Sequence, residues 1–131
     1  MNTKLLLTLS AIFLAIIGIG LTFMPQEIAT FTGLGYTAIY ELQLQILGAL
    51  FFAFAMLNWM AKGALIGGIY NRPIAIANFT HFFIGGITLV KAVANNIHLH
   101  YTVWILAVVY SAFAIWFGIV FSKHPSDNQQ V

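Results

Sequence analysis

Four stretches of about 20 residues, nearly empty of charge, dominate this sequence and narrow its choice of solvent. They cover residues 5–24, 42–61, 73–94 and 101–122. A helix rising 1.5 Å per residue crosses a hydrocarbon core of about 30 Å in each of them. The first stops at Pro25, the second is bounded by Glu41 and Lys62, and the third opens on Pro73, where proline suits a first helical turn. Soluble domains are about half apolar and a quarter charged. Here 61% of the 131 residues are apolar and 6% are charged. The sequence therefore predicts an all-α integral membrane four-helix bundle, a single domain over residues 1–123 followed by a polar tail at 124–131. The apolar run after Lys4 is longer than a signal-peptide core and ends in Phe23-Met24-Pro25-Gln26, so it is expected to stay as a helix.

Orientation follows from the basic residues in the short connections. Lys4, Lys62, Arg72 and Lys123 fall on one side, and Lys91 lies near the other, which predicts cytoplasmic N and C termini and an inner-membrane location in a bacterium. Tyr36, Tyr40, Tyr101 and Trp104 suit an outer aromatic belt, and Trp59, Tyr70 and Trp116 an inner one. Residues 25–35 read as a short interfacial helix, with Ile28 and Phe31 on one face and Gly33 placed to end it. Two short echoes, residues 17–22 in 84–89 and Ala53-Phe54-Ala55 in Ala112-Phe113-Ala114, have different offsets and do not make a repeat.

Composition also removes whole classes of function. A net charge of +2 is too small for a phosphate-neutralising surface, so nucleic acid is not an expected partner. The absence of cysteine excludes disulfides, thiolate nucleophiles and iron–sulfur clusters. No dinucleotide or Walker pattern is present, and no cofactor is expected.

Polar side chains in a span should face other helices or a cavity, because lipid offers no hydrogen bonds. At three-and-four spacing, Glu41, Gln45, Gly48, Ala55, Asn58 and Lys62 share a face of the second span. Asn78, His81, Gly85, Thr88, Lys91 and Asn95 share one in the third. Thr8, Ala11, Ala15, Gly18 and Thr22 do so in the first, and Ala107, Ser111, Ala114, Gly118 and Ser122 in the fourth. Small residues permit close helix approach, so Gly48, Gly85, Ala114 and Gly118 are expected to face neighbouring helices.

Depth sorts the polar groups further. Asn58 and Asn78 lie about 6 and 7 Å from the same ends of their spans, with His81 one turn deeper. Two readings stay open: a polar ligand pocket lined by Asn58, Asn78 and His81, or a closed core network. Glu41 is about 20 Å from His81 along the membrane normal, too far for a catalytic pair. It could form an outer ion pair with Lys91, or cap its own helix while Lys91 snorkels outward. Tyr110 and Ser111 sit mid-span with no partner evident in the sequence. His98 and His100 form a His-x-His pair in the outer loop, a metal candidate with few accompanying ligands, so no metal is assigned. Lys62, Gly63, Gly67, Gly68 and Arg72 form a loop that could meet a lipid phosphate, or simply a positive-inside loop.

The layout is a glycine-rich first span ending in Pro25, then an interfacial segment. Glu41-Leu42-Gln43-Leu44-Gln45-Ile46-Leu47-Gly48-Ala49-Leu50 then opens the second of three further spans. It resembles the small bacterial DoxX-like four-helix membrane proteins. The resemblance implies an accessory role, since some of those proteins are linked to respiratory or redox-associated complexes. It carries no catalytic residue across, and without cysteine no thiol-redox role either. The expected function is a hydrophobic-ligand or lipid-binding protein, or an accessory subunit, with membrane lipids, a membrane protein or further copies as partners. An oligomeric channel or transporter is the alternative. An enzyme is less favoured, because no nucleophile, base and stabiliser share a depth.

The orientation has a direct check. A cysteine introduced as Ser126→Cys should react with an impermeant maleimide only after cells are permeabilised. Labelling of intact cells would reverse the assignment.

Overall fold

The protein, analysed as a computed structural model, is described over residues 2–33, 35, 37–64 and 71–122. Tyr36, Tyr70, Gly67, Gly68, Lys123 and the tail from His124, including Ser126, lie outside these residues. The described part is all-helical. In chain order it contains α1 (Thr3–Phe23), α2 (Pro25–Phe31), α3 (Ala38–Ala61), α4 (Arg72–Asn95) and α5 (Tyr101–Ser122). Four of the five are long and apolar enough to cross a membrane. At 21 to 24 residues they measure about 31–36 Å.

Local chemistry accounts for the ends. Asn2 Oδ1 accepts from Leu5 N at 3.0 Å, satisfying one of the free amides that open α1. Thr37 does the same for α3, its Oγ1 accepting from Tyr40 N at 3.2 Å, and Glu41 lies in the first turn, where a carboxylate suits the helix dipole. This cap starts α3 four residues before the apolar run that the sequence reading used. Pro25 and Pro73 occupy the first turns of α2 and α4. After α2 the chain turns through Gly33 at φ +71°, a left-handed conformation that glycine adopts without strain.

The chain divides into two compact units. One comprises Leu7–Lys62, and the other Gly63–Val131 with Met1–Leu6, so α1 contributes to both. In the Leu7–Lys62 unit, α1 and α3 meet backbone to backbone. A Cβ built on Gly18 would lie 2.8 Å from Gly48 O and 2.8 Å from Phe52 N. One built on Gly48 would collide with Thr22 Oγ1 and lie 2.8 Å from Gly18 O. Such proximity suits helices associating in lipid, where van der Waals contact supplies much of the attraction. The short α2 packs against α3, with Pro25 and Ala29 buried. Phe31, on the same helix as the half-buried Ile28, is exposed. At the end of α3, Lys62 Nζ lies 3.0 Å above the Trp59 ring, a cation–π contact.

In the other unit α4 and α5 form a hairpin around stacked aromatic rings. Phe82 and Phe117 are fully buried, with centroids 5.7 Å apart and planes 10° from parallel. Phe113 stacks on Phe82 at 4.8 Å, and Tyr110 meets it edge-on at 5.2 Å. Gly118 gives Phe79 its place, since a Cβ there would lie 3.1 Å from Phe79 Cε2. The small positions predicted to face neighbouring helices do so: Gly48 meets α1, Gly85 and Gly118 meet rings across the hairpin, and Ala114 is buried.

The polar stripe predicted for the third span holds only in its first half. The buried face of α4 is Ala75, Asn78, Phe82 and Gly86, while Thr88, Lys91 and Asn95 are exposed. Thr88 tolerates this because its Oγ1 donates to Ile84 O at 2.9 Å within its own helix.

The Gly18–Gly48 contact can be tested by bulk. Gly48→Leu should lower the melting temperature in detergent markedly, whereas Gly63→Ala, with nothing within 4 Å of its Cβ direction, should change it little. Equal melting of the two variants would place the α1–α3 approach elsewhere.

Candidate functional site

Fully buried polar side chains are the first candidates, since burial without a partner costs about 1–3 kcal/mol. Ser10, Asn58 and Asn78 are 0% exposed. Within Leu7–Lys62, Asn58 Nδ2 donates to Ser10 Oγ at 3.0 Å, and Ser10 Oγ donates to Leu7 O at 3.1 Å. A hydrogen-bonded chain thus runs from α3 through a hydroxyl to the backbone of α1. Ser10 was absent from the predicted stripe of Thr8, Ala11, Ala15, Gly18 and Thr22. The signal that would have found it is the series Leu7, Ser10, Leu14, Gly18 and Leu21, all buried on one side of α1.

The other two predicted pocket residues belong to the α4–α5 unit. Asn78 Nδ2 donates to Ile74 O at 3.0 Å. His81 Nε2 lies 3.3 Å from Tyr110 Oη, and the two rings are tilted at 5.5 Å between centroids. Gly85, one turn along α4 from His81, makes this possible. A Cβ at that position would lie 2.6 Å from Tyr110 Cε1. Tyr110 therefore has a partner that sequence reading missed. Ser111, also mid-span, turns back on its own helix, with Oγ donating to Ala107 O at 2.7 Å. Among the described residues no buried side-chain nitrogen or oxygen lacks a hydrogen-bond partner.

The remaining candidates are more dispersed. Glu41 belongs to the Leu7–Lys62 unit, and Lys91, exposed near the end of α4, to the other. In the loop before α5, His98 N donates to Asn96 Oδ1 at 3.0 Å. His100 Nδ1 is 2.9 Å from Thr102 Oγ1, and its ring lies on Tyr101 at 4.4 Å. Among the described residues no three His, Cys, Asp or Glu side chains form a group able to hold a metal ion.

What sequence reading did not reach at all is a groove on the α4–α5 surface. It encloses about 370 Å³ and is lined by Phe83, Gly86, Ile87, Val90, Lys91, Ser111, Ala114 and Ile115. That volume lies within the range of clefts that hold small ligands. Gly86 and Ala114 are buried and form its floor, whereas Phe83, Ile87, Val90 and Ile115 are exposed. With the Ser111 hydroxyl bonded to its own helix, the groove offers apolar surface and one ammonium at its edge.

No family model matches the chain, nor does any curated protein or solved structure.

The Ser10–Asn58 contact carries a quantitative expectation. A double-mutant cycle with Ser10→Ala and Asn58→Ala should return a coupling near 0.6 kcal/mol, and no more than about 1.7, as for interhelical hydrogen bonds in lipid. Strict additivity would mean that the two side chains do not act on each other.

Proposed function

We propose that this chain is a multi-pass membrane protein, with both termini cytoplasmic, that binds a lipid-like apolar molecule and serves as an accessory subunit rather than an enzyme. The groove on α4 and α5 carries the reading. It is an apolar recess on an outward face, with a floor made of the buried Gly86 and Ala114. Insertion is supported by polarity turned inside out. Large apolar side chains such as Ile16 and Val108 are exposed, while Ser10, Asn58 and Asn78 are fully buried. In water that arrangement would leave apolar surface far larger than a soluble monomer tolerates. In a bilayer it is the low-energy one.

An accessory role, and location in the inner membrane of a bacterium, also suit the resemblance to DoxX-like proteins. Among the described residues, hydrogen bonding engages the buried polar groups. Catalysis would instead need a nucleophile, a base and a stabilising donor converging on one reacting atom.

Membranes from expressing cells, washed at alkaline pH, should retain the protein until detergent is added. Gentle extraction followed by native mass spectrometry should then show phospholipid carried with it. Release by the alkaline wash would defeat the membrane reading. Insertion without retained lipid would leave the membrane reading intact and remove lipid binding.

A further inference from the structure

We propose that the α4–α5 groove seats one acyl chain of an anionic phospholipid, whose phosphate is held by Lys91. The proposal rests on the membrane and lipid-binding reading above and names the ligand's chemistry and its polar anchor.

Three observations converge on it. The first is level. Along α4 the groove runs from Phe83, at the middle of the helix, to Lys91, one turn from its end. That is about 12 Å of rise, close to the 15 Å or so of one leaflet's hydrocarbon. A lipid of that leaflet would lie in register, its chain along the groove and its headgroup at the ammonium.

The second is charge. Neither α4 nor α5 contains an Asp or Glu, so neither helix offers Lys91 a carboxylate. Near an apolar recess, a lysine stem lies along the surface and lifts its ammonium toward the headgroups. An anion there gains both the charge and up to three donors. Arg72 stands at the opposite end of α4 and lies 5.2 Å from the Phe121 ring, so the two cations of this helix serve different membrane surfaces.

The third is shape. Gly86 and Ala114 recess the floor, while Ile87, Val90 and Ile115 supply walls without polar groups. Gly86 is not empty by necessity of helix packing, because a Cβ there would sit at an ordinary 3.6 Å from Ser111 N. The recess itself is what the missing side chain provides. A chain of methylenes fits such a lining, and a polar solute does not.

The test is competitive native mass spectrometry of the purified full chain with phosphatidylglycerol and phosphatidylcholine bearing identical oleoyl chains. Wild type should retain the anionic lipid about five-fold over the zwitterionic one, the factor that one lysine near an anionic headgroup supplies. Lys91→Gln should bring the ratio to about one while keeping retention of both. Lys4→Gln should leave the ratio unchanged. Ile115→Trp, at an exposed wall, should reduce retention of both lipids. Equal retention by wild type would overturn the assignment. So would a preference that survives Lys91→Gln, one abolished equally by Lys4→Gln, or retention indifferent to Ile115→Trp. A wild-type chain that retains neither lipid would bring down the lipid-binding reading itself. A two-chain species that loses lipid as it forms and is broken by Ile115→Trp would make a second copy the occupant, and that too would refute it.

Discussion

Backbone approach at glycine is the constraint on which the rest of both units depends. At Gly18 and Gly48 two helices come close enough that no other residue fits without displacement. That separation also suits Asn58, farther along α3, for reaching Ser10 on α1. In the α4–α5 hairpin the same economy serves aromatic packing. Gly85 clears the Tyr110 ring, Gly118 accommodates Phe79, and the stack through Phe82 and Phe117 closes beneath them. Glycine in a helix costs conformational entropy, about 1 kcal/mol relative to alanine. The contacts it opens must therefore outweigh that cost.

Polar satisfaction follows from the same geometry. Hydroxyls that face outward or partly outward turn back on their own helices: Thr22 to Gly18 O, Thr88 to Ile84 O, Ser111 to Ala107 O and Ser122 to Gly118 O. The fully buried Ser10 hydroxyl does the same with Leu7 O, and it also accepts from Asn58 across the α1–α3 contact. This suits an apolar solvent, where a hydroxyl places its one proton within a turn of its own helix, while a carboxamide such as Asn58 has further donors and acceptors to satisfy. Tyr110, buried, and His81, half-buried, pair in the same way, their polar ends brought together one turn from Gly85.

Lys91 stands apart from this pattern. Every other charged residue on a described long helix lies within its first or last turn or at its cap, whereas Lys91 sits one turn inside the end of α4 at the lip of an apolar recess. A cation in that place is energetically reasonable only with an anion or water at hand.

Much of the architecture is a property of one dimension. An uncharged apolar run of about 20 residues specifies a long helix wherever it occurs, so the sequence placed the long helices to within a few residues. Pro25, Gly33 and Pro73 marked turns and starts for equally local reasons. The spacing of small residues also told which sides would be close-packed. The early start of α3 escaped because it depends on a cap at Thr37 outside the apolar run. The Ser10–Asn58 and His81–Tyr110 partnerships escaped because they depend on how two helices are rotated and shifted against each other. A groove is less legible still: it is a place where Gly86 and Ala114, distant in sequence, line one recess across a hairpin and leave space unfilled. Sequence by itself determined the helices, their apolar character and the small residues on their packed faces. Tertiary structure alone decided which polar groups meet and where the surface opens, because both are set by the register between helices, which no single helix encodes.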